Sequence, residues 1–281
     1  MTTARNPAKS SSTFHFISGL PRSGSTLLAA ILRQNPRFHA GMTSPVADIM
    51  GAVVAEMSSK NDFSYAISDA ARVAVLRGLV ENFYSAAGGA EVVFDTSRLW
   101  CSRIQMLDTL FPQSRVIACV RQLPWVLDSM ERLVRKQPVN VSKVFRFDTN
   151  TTVYSRVQAL TDPRGMVGFA FQAVKDAFYG RYASGHLLLL TYETLTKSPE
   201  AALRKVYEFI GEPWFEHDFD SVEYGASEFD SRVGMPGLHT VRSKVEAPER
   251  TPVLPLEIFN RFVSESFWLE SKNNIGGVPV V

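Results

Sequence analysis

Two cysteines, Cys101 and Cys119, in 281 residues are too few for a disulfide framework, and no Cys or His cluster has metal-ligand spacing. A reducing compartment and no structural zinc are therefore expected. Net charge is scarce as well. Thirty basic against 28 acidic side chains leave +2, and no basic run is interleaved with aromatics, so nucleic acid is not an expected partner. Nowhere do 18 apolar residues follow one another. Met1 to Thr13 is polar and Ser-rich, without the apolar centre of a signal peptide, so no membrane span and a cytoplasmic location are expected.

What is present is an ordinary globular composition, 45% hydrophobic and 21% charged, in a chain long enough to bury a sizeable core. Short apolar runs at Phe14 to Ser18, Glu91 to Asp95, Arg115 to Val120 and His186 to Thr191 alternate with helical periodicity. Helices are expected from Val46 to Met57, with Ser44 as cap and Pro45 in its first position, and from Ser68 to Tyr84, stopped by Gly88-Gly89. Further helices are expected at Trp100 to Leu110, from Pro124 onward, Val167 to Tyr182, Pro199 to Ile210 and Leu256 to Glu270. That rhythm predicts an α/β fold, a P-loop-type parallel β-sheet with helices on both faces. One domain is expected over 14–270, between tails at 1–13 and 271–281, with 135–164 a polar lid and 211–255 loop-rich.

The period switches from strand to helix across Gly19-Leu20-Pro21-Arg22-Ser23-Gly24-Ser25-Thr26-Leu27. A helix start there carries unpaired N–H groups and about half a positive charge, which suits an oxyanion. The spacing is that of a nucleotide-triphosphate loop except that Ser25 replaces the lysine, while Arg22 brings a guanidinium into the loop. A phosphate-like group without magnesium-dependent phosphoryl transfer is the expectation. Arg121, ending the third strand, and Ser129, on the next helix, are placed to converge on one anion.

These two motifs resemble the sulfotransferases that use 3′-phosphoadenosine 5′-phosphosulfate (PAPS), closest to the tyrosylprotein sulfotransferases and their bacterial relatives. The resemblance implies that Arg22, Ser23, Gly24, Ser25, Thr26 and Leu27 hold the 5′-phosphosulfate, and that Arg121 and Ser129 hold the 3′-phosphate. It also implies that Tyr192 lies near the adenosine and that Ser243 and Lys244 belong to a late closing loop. PAPS is then the co-substrate, with no metal. The acceptor is a hydroxyl on a small molecule or peptide, a phenol or a protein tyrosine among the candidates. Apart from the resemblance, the aromatics Phe145, Phe147, Tyr154, Phe169 and Phe171 would suit a phenolic ring, although aromatics at such spacing are more often core.

The chain departs from the resemblance at the base. Ala40 to Ser44 lacks the glutamate of tyrosylprotein sulfotransferases, and the Lys and His of the cytosolic enzymes are absent from Asp95-Thr96-Ser97-Arg98. Asp95 is the expected general base and Arg98 the expected cation, with Arg22 as a further catalytic cation and His39 and Asp48 as alternative bases. Asp95 as a helix cap paired with Arg98 is nearly as good a reading. Two other functions stay open: a P-loop kinase or hydrolase, and a nucleotide-binding protein without turnover.

Overall fold

The computed structural model describes residues 12–281 apart from 59, 88, 150, 182–184, 248, 271 and 273. Nearly all of the expected N-terminal tail, Gly88 of one helix stop and Tyr182 of another helix end lie outside the described residues. Five strands, β1 (Thr13–Gly19), β2 (Phe38–Ala40), β3 (Val92–Thr96), β4 (Val116–Val120) and β5 (Leu187–Thr191), form one parallel sheet in the order β2-β3-β1-β4-β5. The helices are α1 (Ser25–Leu32), α2 (Val46–Glu56), α3 (Asp69–Phe83), α4 (Ile104–Leu110), α5 (Leu123–Lys136), α6 (Val153–Thr161), α7 (Met166–Tyr179), α8 (Tyr192–Lys197), α9 (Pro199–Ile210), α10 (Ser227–Arg232) and α11 (Leu256–Arg261).

Alternation along each strand splits the core in two. Phe14, Phe16, Val116, Ala118, Leu187 and Leu189 pack with α2 to α7, while Ile17, Ile117, Cys119, Leu188 and Leu190 pack with α1, α8 and α9. Burying a side chain such as Phe16 removes it from water at a gain of roughly 1.5–3 kcal/mol, and the two-faced burial explains why these strands read as continuous apolar runs. β1 lies between β3 and β4, so the chain leaves it toward opposite sides. A crevice opens beyond the carboxyl ends of such strands.

Five elements differ from expectation, among them α8, a short helix between β5 and α9 capped by Thr191. β2, three residues long, carries no usable period. The segment 135–164 contains α6, capped at Thr152, whose hydroxyl accepts from Ser155 N–H and whose own N–H is held by Ser155. The loop-rich stretch 211–255 contains α10, and α11 ends at Arg261, nine residues before the expected Glu270. The C-terminal segment, expected as a tail, reaches the sheet edge: Val278 is buried, Leu189 N–H donates to the Pro279 carbonyl, Val281 N–H to that of Leu189, and Thr191 N–H to that of Val281.

His15 is buried in β1 beside Phe94, its Nδ1 accepting from Arg115 N–H at 3.1 Å while Nε2 lacks a partner among the described residues. Burial, with the Arg115 charge, pushes its pKa down to about 3, and burial takes His217 to about 4. Both are neutral when folded and titrate near 6.5 when unfolded, so their contribution to stability is complete above pH 6.5 and lost as pH falls toward 3–4. Urea unfolding at pH 7 and pH 4.5 checks this. His15→Asn, whose amide oxygen can take the place of Nδ1, is expected to shrink the difference; an unchanged pH slope contradicts it.

Candidate active site

The crevice is a cleft of about 500 Å³, walled by Gly19 to Arg22, Gly24 to Leu27, Ser97 to Leu99 and the ends of β4 and β5, and closed by residues 238–242 and 244–246. Its floor is the turn between β1 and α1. Gly19 has φ +111°, and a Cβ there would stand 2.0 Å from the Cys119 carbonyl oxygen, so the loop can bend under β4 only with glycine. Gly24, at φ +99°, is the residue before α1 and makes no side-chain cap, which leaves the first N–H groups of the helix facing the cleft side of the loop. Arg22 itself is held at φ +60°, an uncommon conformation for a residue with a side chain.

That conformation aims Arg22 across the site. Its Nε donates to Ser129 Oγ on α5 at 3.1 Å, and its Nη1 donates to the Leu238 carbonyl of the late segment. One side chain thus ties the loop to the two segments predicted to meet it. Arg121, at the end of β4, stacks on the Tyr192 ring at 4.0 Å, and its buried Nε has no hydrogen-bond partner among the described residues. Arg250 also lines the cleft, with its guanidinium 5.7 Å from the Trp125 ring and a buried, unpartnered Nη2.

The three guanidiniums press on one another. Burial and the neighbouring charges bring Arg121 down to about 10, and Arg22 and Arg250 lie below their ordinary value, burial being the main cause in each. Asp230, Glu193 and Asp128 act on them only from beyond ion-pair distance among the described residues, and holding cations together in that way is unfavourable unless an anion completes the site.

A family model described as the sulfotransferase family matches residues 15–216. The chain belongs to that family. The sulfotransferase domain of the Synechococcus PCC 7002 olefin synthase shares its fold, with TM-score 0.56 and 20% identity over 95% of this chain and 98% of that one. The sulfotransferase domain from the curacin biosynthetic pathway is similar at TM-score 0.51 and 16% identity, covering 84% of each chain. No curated protein sequence matches. In this sulfotransferase the loop residues Arg22, Gly24, Ser25, Thr26 and Leu27 stand around the cleft with Arg98, Arg121, Ser129 and Tyr192.

Other expected residues fall elsewhere. Ser23 is fully buried, its Oγ 2.5 Å from the Leu20 carbonyl and 2.8 Å from that of Cys119, so the side chain braces the loop from beneath. Ser243 is exposed outside the cleft walls, where its carbonyl accepts from Val222 N–H, and Lys244 sits at the rim paired with Asp220 at 2.8 Å. Of the aromatics expected to receive a phenolic ring, Phe169 alone is among the lining residues.

Asp95, the expected base, is fully buried behind the wall. Its oxygens accept from Trp100 Nε1 at 2.6 Å, Tyr84 Oη at 2.6 Å and Ser44 Oγ at 2.5 Å, and neither Arg98 nor the cleft reaches it. His39 packs edge-on against Tyr84, away from the lining residues. Asp48 does line the cleft, exposed on the first turn of α2. Sequence reading missed Arg250 and His239, which sit in loops without periodicity. The signal for Arg250 was only a basic residue within a loop-rich stretch.

Proposed function

We propose that this sulfotransferase moves the sulfuryl group of PAPS to a hydroxyl acceptor in the cytoplasm. The reading rests on one observation: Arg22, Arg121 and Arg250 crowd a phosphate-type loop with buried N–H groups left to donate. A nucleotide with phosphates at two positions satisfies them all. The α1 N-terminus with Ser25 and Thr26 would take the 5′-phosphosulfate, Arg121 and Arg250 with Ser129 the 3′-phosphate, and Tyr192 the region near the adenine. PAPS supplies an activated sulfuryl group on a good leaving phosphate, and the cations carry the charge that grows on that phosphate.

The acceptor side of the cleft carries Leu99, Met166, Phe169, Phe229, Val233 and Leu238. An apolar surface of that kind favours a hydroxyl on a flat or apolar body, a phenol or tyrosine ring included. Exposed Arg98 at the same cleft would favour an acceptor with an acidic neighbour, whereas Arg242 is paired with Glu246 at 3.2 Å.

With Ser25 where a loop lysine would stand, nucleotide binding is expected to need no metal. Thermal unfolding in chelator should rise on adding 3′-phosphoadenosine 5′-phosphate (PAP), by the mass-action gain of about 2.7 kcal/mol at 100 Kd. Stabilisation by ATP with magnesium but not by PAP contradicts the proposal.

A further inference from the structure

Transfer to a hydroxyl leaves a proton to be removed, and with Asp95 turned away the cleft needs another acceptor for it. The late segment supplies a candidate. Asp230, on α10 and 2% exposed, gives both carboxylate oxygens to one residue: Oδ1 is 2.6 Å from His239 Nδ1, and Oδ2 accepts the His239 backbone N–H at 2.9 Å. A carboxylate facing Nδ1 fixes the tautomer that has its proton there, which leaves the lone pair on Nε2. The ring is further held by Phe229, edge to face at 5.4 Å, and its side chain keeps 17% of its surface open. His239 lines the cleft, and the residue before it, Leu238, is the one bonded to Arg22 of the phosphate loop.

We infer that His239 is the general base of the transfer and that Asp230 is the residue positioning it. The assignment rests on the sulfuryl-transfer reading above. In the step, the acceptor oxygen forms the bond to sulfur and its proton passes to His239 Nε2. The bond from sulfur to the 5′-phosphate oxygen breaks, and its electron pair stays on the phosphate. The histidine then returns the proton to water, so the products are the sulfate ester, PAP and one proton.

The charged groups acting on the ring are Asp230 from α10, Arg22 from the phosphate loop and Arg98 from the segment after β3. Burial and the two arginines hold the imidazole below its ordinary range, against the pull of Asp230. A base of that kind is unprotonated at neutral pH, so the acid limb of kcat/KM should lie below 6.5. Of the carboxylates lining the cleft, Asp48 is exposed with no such partner fixing it among the hydrogen bonds of the described residues, and Glu246 is exposed and paired with Arg242 at 3.2 Å.

The test uses the full chain with PAP for binding and PAPS with 2-naphthol for turnover, scored as PAP formed. His239→Ala is expected to keep the thermal shift given by PAP while turnover falls about 10²- to 10⁴-fold. His239→Gly should regain part of the rate with added imidazole, which a structural role would not allow. Asp230→Asn should keep PAP binding and move the acid limb to lower pH. Turnover of His239→Ala near wild type, loss of PAP binding in that variant, or a large loss in Asp48→Asn instead overturns the assignment. A wild-type protein that binds PAP but leaves PAPS intact with 2-naphthol overturns His239 as base toward a phenol, while the binding reading stands. Failure to bind PAP at all removes the sulfuryl-transfer reading itself.

Discussion

Asp95→Ala is expected to lower the unfolding free energy by about 3 kcal/mol, because it strands the buried Trp100 N–H and takes from the half-buried Tyr84 and Ser44 hydroxyls their shared acceptor. Trp100 is itself fully buried under β1, in ring contact with Phe16 at 4.8 Å, so its N–H has nowhere else to turn. Asp95→Asn should cost less, since Oδ1 can still accept from Trp100 and the amide NH2 can donate to the Tyr84 or Ser44 hydroxyl oxygen, which accept as well as donate. For a chain of this size the loss corresponds to a fall of several degrees in Tm, roughly 2–4 °C per kcal/mol. The same carboxylate also fixes Ser44, whose Oγ accepts the Val46 N–H at the start of α2, so the cleft wall that carries Asp48 should loosen with it. Urea and thermal unfolding of the two variants provide the check. An Asp95→Asn protein as stable as wild type yet inactive would return the residue to the role of base.

The double substitution Arg121→Ala with Arg250→Ala should produce the largest loss of nucleotide affinity. Each removes a charge-assisted pair worth about 1.5–3 kcal/mol, so together they cost about 10²- to 10⁴-fold in the Kd for PAP. The loss is expected to depend on the 3′-phosphate. Calorimetry with PAP and with adenosine 5′-monophosphate separates the two ends: PAP should lose most of its affinity and the monophosphate little. Equal losses would place both guanidiniums at the 5′ end instead. Removing two mutually repelling cations also relieves the free protein, so its own stability should hold or rise slightly.

Much of this was legible in the chain. The short apolar runs became β1, β3, β4 and β5 because both faces of a parallel sheet are buried, and such strands announce themselves by composition alone. The phosphate loop was readable because glycine at positions 19 and 24 and the switch of period are local properties. Pro199–Ile210 has the expected bounds because proline starts it and Gly211, at φ +77°, ends it. β2, α6, α8 and α10 were not legible, being short elements stabilised by what they pack against.

The chemistry divides along the same line. Sequence by itself determined the loop, the strand-end arginine at 121 and the hydroxyl at 129, since each follows from a strand, a turn and one helical repeat. Only the tertiary structure decided that Asp95 faces Trp100 and Tyr84 and not the cleft, because a strand end has two faces and packing selects between them. Likewise it alone brought Arg250 and His239 to a loop more than 200 residues earlier. Their segments have no periodicity to read, and their positions are set by contacts across the fold such as Arg22 with Leu238 and Asp230 with His239.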